Sequence, residues 1–299
     1  MAKKRLWFGN EQHAQWVPSP KTGMTHSFEN FYEEMALDNG GHWDDRSAAS
    51  HSVYNLDFPV SYASELEGIE AFPRFASGEY GFDYIRFIDI MRADENLFNQ
   101  NWAAPGLSIK DWVPIYDTTP TFVATGANVY GKPFTKAVFN LSGVANAVPT
   151  KPNSVFTLLI PPTHKIAIGA SYQSTGTGVI RIQPVNLDGT LAAVVNLATS
   201  TDASAPTLSA TFSGATYRSV RIYLTQTSAG AATATVSALW AQCVPIAQTP
   251  VISRHIPGKG HSGLGFSGGA FVESYVAVNR FGKRVGASIT LKEKQPWAP

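Results

Sequence analysis

The sequence has little charge, a single cysteine and no long apolar run. Asp, Glu, Lys and Arg make up 15% of its 299 residues, whereas an ordinary soluble domain has about 25%. Lysine and arginine together number 23, and aspartate and glutamate 22, so the net charge is +1. This balance excludes a strong field of one sign that would attract nucleic acid, an anionic membrane or an acidic substrate. Aromatic residues reach 12%, which excludes a disordered tail protein.

The other absences exclude whole classes of site. The lone Cys243 allows neither an intramolecular disulfide framework nor a zinc site built from cysteines. No apolar stretch approaches the ~18 residues of a membrane-spanning helix, and the basic start is followed too quickly by polar residues to be a signal-peptide core. We therefore expect an uncleaved, soluble chain with no membrane partner. Sparse charge on a large chain instead predicts a subunit that buries much of its surface against copies or partners.

The acidic residues are distributed unevenly, and the gap between them predicts two modules. Between residues 121 and 245 the only acidic residues are Asp188 and Asp202, whereas glutamates are frequent before residue 96. A composition change at both ends of a block is typical of a separate module, and surface turns tolerate insertions. We predict a split outer domain, 1–120 plus 246–299, with an inserted domain at 121–245.

Apolar and polar residues alternate in both modules, which predicts strands. The inserted module has such runs at 179–184, 219–225 and 232–240, separated by glycine-containing turns. The outer module has one at 51–58 and a hairpin formed by 271–278 and 285–292 around Gly282. Tyr84, Phe87, Ile88 and Met91 fit a helical period, whereas Tyr80, Phe82 and Tyr84 in the same region alternate as in a strand, so both remain open. The predicted fold class is all-β, a β-sandwich belt domain with an inserted jelly-roll or other β-sandwich module.

No motif predicts catalysis or a cofactor. The glycine-rich stretch that begins at Gly258 lacks the spacing of a phosphate-binding loop, and no Gly-x-Ser-x-Gly nucleophile motif is present. His42, Asp44, Asp45 and His51 lie close in sequence, but next to a Gly-Gly turn where polar residues are usually solvated. We predict no enzymatic activity, no cofactor and no metal.

Four residues of the inserted module form a candidate carbohydrate face. Arg181 and Gln183 lie on the outward side of one predicted strand, and Arg221 and Tyr223 on that of another. If the two strands are neighbours, they form a polar, aromatic-containing face of the type that binds carbohydrate in jelly rolls. A plain solvated face is the alternative.

Several segments, taken in order, resemble the minor tail proteins of long-tailed phages that infect actinobacteria, and within that group the distal tail (Dit-like) protein. They are Arg5-Leu-Trp-Phe-Gly-Asn, Tyr32-Glu-Glu-Met-Ala-Leu-Asp-Asn-Gly-Gly, His51-Ser-Val-Tyr-Asn-Leu-Asp-Phe, Asn96-Leu-Phe-Asn-Gln-Asn-Trp-Ala-Ala-Pro-Gly, Tyr217-Arg-Ser-Val-Arg-Ile-Tyr-Leu, Leu239-Trp-Ala-Gln-Cys-Val-Pro, Gly263-Leu-Gly-Phe-Ser-Gly-Gly-Ala, Tyr275-Val, Arg280-Phe-Gly-Lys-Arg and Leu291-Lys-Glu-Lys-Gln-Pro-Trp. The segment at Asn96 departs from the family pattern because it lacks the proline that commonly precedes the tryptophan.

The resemblance implies a structural virion protein at the distal end of a phage tail, assembled in the host cytoplasm. Its copies would form a six-fold ring through the belt domain, with a galectin-like or carbohydrate-module-like domain projecting outward. The implied partners are further copies, the tail tube protein, the tip or hub protein, the tape measure and host cell-wall glycan, with DNA passing through the ring without sequence-specific binding. The alternative is a carbohydrate-binding host-adsorption protein of the tail tip. Aromatic residues expected at the ring contacts are Trp7, Phe8, Trp16, Phe266, Phe271 and Trp297.

Overall fold

The chain is all-β. The computed structural model describes residues 4–18, 24–36, 42–61, 72–75, 77–80, 86–90, 96–98, 121–127, 133–142, 157–175, 178–197, 207–226, 231–250, 269–281 and 284–294. The strands are β1 Lys4–Gly9, β2 Ala14–Pro18, β3 Met24–Ala36, β4 His42–Ser61, β5 Arg86–Asp89, β6 Thr121–Ala127, β7 Pro133–Ser142, β8 Thr157–Leu159, β9 His164–Thr175, β10 Gly178–Asn186, β11 Val195–Asn196, β12 Thr207–Ser213, β13 Tyr217–Gln226, β14 Ala231–Pro245, β15 Gly269–Phe281 and β16 Arg284–Lys294. One helical turn covers 72–75. In the part of the chain that the structure describes, no helix is long and apolar enough to cross a membrane.

Residues 121–245 supply every strand of two antiparallel sheets that pack as a sandwich. One sheet has the order β12-β9-β14-β7-β6 and the other β11-β10-β13-β8. Ile168 and Tyr172 from the first sheet share a hydrophobic core with Ile182 and Val220 from the second. The predicted strands at 179–184, 219–225 and 232–240 are confirmed as parts of β10, β13 and β14.

A four-stranded antiparallel sheet joins the two ends of the chain, in the order β15-β16-β4-β3. Its core contains Leu56 from β4 and Ile289 from β16. The predicted hairpin of β15 and β16 is confirmed, with Phe281 opposite Arg284; Gly282 lies outside the described residues. This sheet belongs to the predicted outer domain.

A three-stranded sheet, β2-β1-β5, lies between these two units, and we call it the connecting sheet. Leu6 and Phe8 of β1 belong to the core of the four-stranded sheet, whereas Trp7 belongs to the core of the sandwich. Apolar and polar residues do not alternate along Leu6-Trp7-Phe8, because a strand that is buried on both faces needs apolar residues on each face. Residues 86–89, which lie in the stretch with a possible helical period, form strand β5 of this sheet instead.

The two outer strands of the four-stranded sheet are offset along the strand direction. Met24 lies opposite Leu56, Leu56 opposite Ile289, and Ile289 opposite Tyr275. The first residue of β3 is therefore level with the middle of β15. Among the described strands, none pairs with the outer edge of β3 or of β15.

Candidate functional site

The tip of the β1–β2 hairpin is shaped by Gly9 and Asn10. Gly9 has a φ of +148°, and a Cβ there would lie 2.1 Å from the carbonyl oxygen of His13. The Asn10 side-chain oxygen accepts hydrogen bonds from the backbone N–H groups of Gln12 (3.0 Å) and His13 (2.8 Å). Its amide nitrogen donates to the backbone oxygen of Tyr80 at 2.8 Å. These bonds form an Asx-type turn, which fixes the position of the residue between them, Glu11.

Glu11 joins the hairpin tip to the inserted sandwich. Nε of Arg221, on β13, donates to Oε1 (2.9 Å) and Oε2 (3.1 Å) of Glu11, and its Nη2 donates to Oε2 at 2.6 Å. The Ser219 hydroxyl donates to Oε1 at 3.0 Å. The Glu11 side chain is 8% exposed and that of Arg221 22%. A forked arginine–carboxylate pair of this kind fixes orientation as well as adding energy.

A second polar contact lies on β14. Asn96 donates from Nδ2 to the backbone oxygen of Leu239 (3.0 Å), and its Oδ1 accepts from the backbone N–H of Ala241 (3.1 Å) and of Phe98 (3.2 Å). The backbone N–H of Leu97 donates to the Ala241 carbonyl at 2.8 Å. β7 pairs with β14 only along Ala231–Val236, so segment 96–98 extends the pairing of β14 beyond it. We call the Glu11 and Asn96 contacts together the module junction.

The candidate carbohydrate residues come together, but not as an open face. β10 and β13 are neighbours, with Arg181 opposite Tyr223 and Gln183 opposite Arg221. Gln183 is not part of an exposed face, because the residue is 3% exposed and its amide donates to the Ala192 carbonyl. Arg221 is occupied by Glu11. Carbohydrate binding by these residues stays a prediction.

The predicted ring contacts need one correction. Trp7 and Phe8 are buried inside a single protomer, Trp7 with its ring centroid 5.1 Å from that of Trp16 and Phe8 4.3 Å from Phe72. Both serve as core residues of the connecting sheet instead of assembly contacts. Trp16 is half-buried and stays a predicted contact. The other three predicted contacts have no described side chain: Phe271 lies on the edge strand β15, and Phe266 and Trp297 lie outside the described residues.

The titratable groups with shifted pKa values owe most of those shifts to burial. Burial lowers the pKa of His164, which lies beside Trp16 at 5.9 Å between ring centroids. Burial raises the pKa of the Tyr172 phenol and of the Cys243 thiol. By contrast, Asp188 is exposed, and hydrogen bonds from Thr190 lower its pKa.

The region that the sequence singled out for a metal is extended rather than turn-like. His42, Asp44, Asp45 and His51 all lie on β4. Among the described residues, no three His, Cys, Asp or Glu side chains lie close enough together to hold a metal ion.

Sequence comparisons match the chain to no protein-family model and to no curated protein. Among solved structures, the chain is similar to the VP2 subviral particle of infectious bursal disease virus, with 9% identity over 97% of this chain and 79% of that one, and a TM-score of 0.25. It is also similar to a structure of the Gx strain of infectious bursal disease virus, with 10% identity over 97% and 80% of the two chains, and a TM-score of 0.24. Similarity at this level carries no argument about function.

Proposed function

We propose that this chain is a structural virion protein, the ring-forming subunit at the distal end of a long phage tail, where it joins the tail tube to the tip complex. The resemblance of its sequence segments to distal tail proteins supports this role, as does its low charge. The role is mechanical and needs no catalytic group. Its proposed partners are further copies, the tube protein above and the hub protein below.

The observation that carries the proposal is a pair of edge strands of equal length on the four-stranded sheet, neither of which pairs on its outer side with a described strand. β3 and β15 each have 13 residues, and successive antiparallel pairings make them run in opposite directions. A copy related by simple rotation can therefore add its β15 beside β3 in antiparallel pairing. A repeated contact between two different surfaces forms a ring when the rotation closes, and closure removes both exposed edges.

The offset between these edges also suits a ring. Strands of a closed barrel tilt by about 35–45°, which requires a stagger from one strand to the next. If β3 overlaps a neighbour's β15 along its full length, each copy is shifted relative to the next by roughly half a strand along the strand direction, or about 20 Å. Six copies would contribute about 24 strands and a backbone diameter of roughly 50 Å. Such a channel is wide enough for a nucleic-acid duplex.

Particle mass and electron microscopy of the purified full-length chain test the proposal. We expect a species of about six protomers and a closed ring with a central hole in class averages. The test variant is Val276→Pro on the edge strand β15, and Thr290→Pro on the interior strand β16, which is paired on both sides, should instead disrupt folding. Val276→Pro should reduce assembly while retaining the β circular-dichroism spectrum. Wild-type protein that stays monomeric up to high micromolar concentration refutes the ring.

A further inference from the structure

Four connections of the inserted sandwich meet at one of its ends. They follow the strands β8, β10, β12 and β14 and comprise residues 160–163, 187–190, 214–216 and 246–249. Asn186, the last residue of β10, lies opposite Tyr217, the first residue of β13. Ser213, the last residue of β12, lies opposite Lys165 near the start of β9. We call this end of the sandwich, where strands of both sheets begin or end, the loop end.

Exposed aliphatic residues are concentrated at the loop end. Among the described residues, the exposed large apolar ones are Leu187 (56%), Leu191 (49%), Ile246 (40%) and Val194 (38%). Leu187 follows a strand of one sheet and Ile246 follows a strand of the other. Leu191 lies opposite Val185, one residue before the end of β10. Val194 adjoins β11 and lies roughly 10 Å further back along the sandwich. Exposed apolar residues that cluster in this way mark a contact surface, whereas scattered ones do not.

The loop end has almost no charge and no aromatic residue. Within the four connections, the sole charged residue is Asp188, whose carboxylate accepts hydrogen bonds from the Thr190 backbone N–H (2.9 Å) and hydroxyl (2.6 Å). Apart from these two and the two aliphatic residues, the exposed residues there are proline, alanine, threonine and glutamine. Protein interfaces draw most of their energy from Trp, Tyr and Arg, and nucleic acid requires cations. Aliphatic side chains without these groups suit a surface that offers apolar burial and no fixed charge.

The connections that carry the two aliphatic residues are held in place by hydrogen bonds. The backbone N–H of Asn186 donates to the Thr190 carbonyl at 2.8 Å, and the Asn186 side-chain amide donates to the Thr190 hydroxyl at 3.0 Å. These bonds close the turn that contains Leu187. On the other sheet, the backbone N–H of Ile246 donates to the Thr163 carbonyl at 3.2 Å. Both aliphatic side chains are therefore presented by ordered backbone, which lowers the entropy cost of a contact.

We propose that the loop end docks on an uncharged lipid surface and inserts Leu187 and Ile246 into its interfacial region. Together with Leu191 they expose on the order of 250 Å², whereas a stable interface between two proteins covers about 800 Å² on each partner. The apolar area is thus too small for a second copy, but a lipid interface needs only a few inserted apolar groups. Such a contact requires neither a long apolar run nor net charge, the two features whose absence predicts no membrane partner. The inference goes beyond the proposed ring, whose contacts lie on the four-stranded sheet.

Flotation of the full-length chain with phosphatidylcholine vesicles tests the contact. A few partly exposed side chains bind less tightly than one myristoyl chain, for which the constant is about 10⁴ M⁻¹, so half of the protein should be bound at millimolar lipid. Leu187→Ser with Ile246→Ser should lower the partition coefficient at least about tenfold, and Ile246→Ser alone about threefold, because apolar burial is lost. The matched control is Val194→Ser, which removes an aliphatic residue of similar exposure away from the loop end and should stay within about 1.5-fold of the wild type. Circular dichroism confirms that each variant folds.

The remaining measurements identify the surface. Phosphatidylglycerol vesicles should bind the chain no more tightly, and raising NaCl from 50 to 500 mM should leave binding unchanged, because the contact uses no charge. A wild type that does not float with about 10 mM phosphatidylcholine overturns the proposal, and so does an equal loss of binding in Val194→Ser and Ile246→Ser. Self-association that the double variant abolishes, without vesicle binding by the wild type, would assign the loop end to a protein partner instead. Particle mass tests the ring separately, so either proposal can fail without the other.

Discussion

Replacing Glu11 by glutamine tests whether the module junction stabilises the chain. Removing one partner of a buried pair costs about 3–5 kcal/mol, and the 22% exposure of the Arg221 side chain lowers this expectation because water can reach the guanidinium. We expect Glu11→Gln to lower the free energy of unfolding in urea by about 2–3 kcal/mol. The matched control is Glu79→Gln, because Glu79 pairs with Arg74 at 3.6 Å with both side chains about half exposed. A surface pair of that kind contributes about 0–1 kcal/mol.

Comparing the losses in unfolding free energy caused by Glu11→Gln and Glu79→Gln tests whether the module junction stabilises the chain. If Glu11→Gln costs no more than Glu79→Gln, the stabilising role of the junction is refuted. A double-mutant cycle with Arg221→Met then isolates the interaction, for which we expect a coupling of about 1–3 kcal/mol. Replacing both residues by apolar ones, Glu11→Leu with Arg221→Met, should cost less than either single change, because no buried charge is left without its partner.

Three further predictions concern the residues around this junction. Asn96→Ala should lower the free energy of unfolding by about 2–3 kcal/mol, measured in urea, because it leaves buried backbone groups of β14 without partners; a loss below about 0.5 kcal/mol would contradict this role. Gly9→Ala should prevent folding or cost more than 3 kcal/mol, because its Cβ would meet the His13 carbonyl. Gly189→Ala is the control: at a φ of +90° it keeps a backbone cost, but its closest atom, at 3.0 Å, belongs to an arginine side chain that can move, so it should cost less than Gly9→Ala. His164 has a lowered pKa when folded and an ordinary value of 6.5 when unfolded, so the unfolded chain binds more protons below pH 6.5 and stability should fall as the pH drops through that range. His164→Gln should flatten that part of the curve of unfolding free energy against pH, and an unchanged slope would assign it to other groups.

Local patterns in the sequence predicted the fold class and parts of six strands, β4, β10, β13, β14, β15 and β16. Alternation along 219–225 predicts β13 with Val220 and Ile222 inward, and both are buried. The hairpin of β15 and β16 follows equally from two alternating runs around a glycine. These features depend on neighbouring residues, so a single sequence contains them.

The module junction depends on contacts that no local pattern contains. Glu11 and Arg221 are 210 residues apart, and a lone glutamate in a hairpin turn looks like any solvated acid. The sequence predicts Trp7 and Phe8 at ring contacts because it does not distinguish an aromatic residue buried between two units of one chain from an aromatic residue exposed for assembly. Alternation predicts Gln183 on the exposed side of β10, but contact with the segment around Ala192 buries it, and no local pattern indicates that contact.

The connecting sheet explains why the two units need polar contacts in addition to apolar ones. Both of its faces are buried in apolar cores, and apolar packing alone tolerates alternative arrangements of similar volume. Glu11 and Asn96 form directional bonds to single positions on β13 and β14, which distinguish one arrangement of the two units from its neighbours. The segments that begin at Arg5, Asn96, Tyr217 and Leu239 meet at this junction. In the ring that we propose, contacts on the four-stranded sheet would fix the inserted sandwich as well, because the connecting sheet packs against both units.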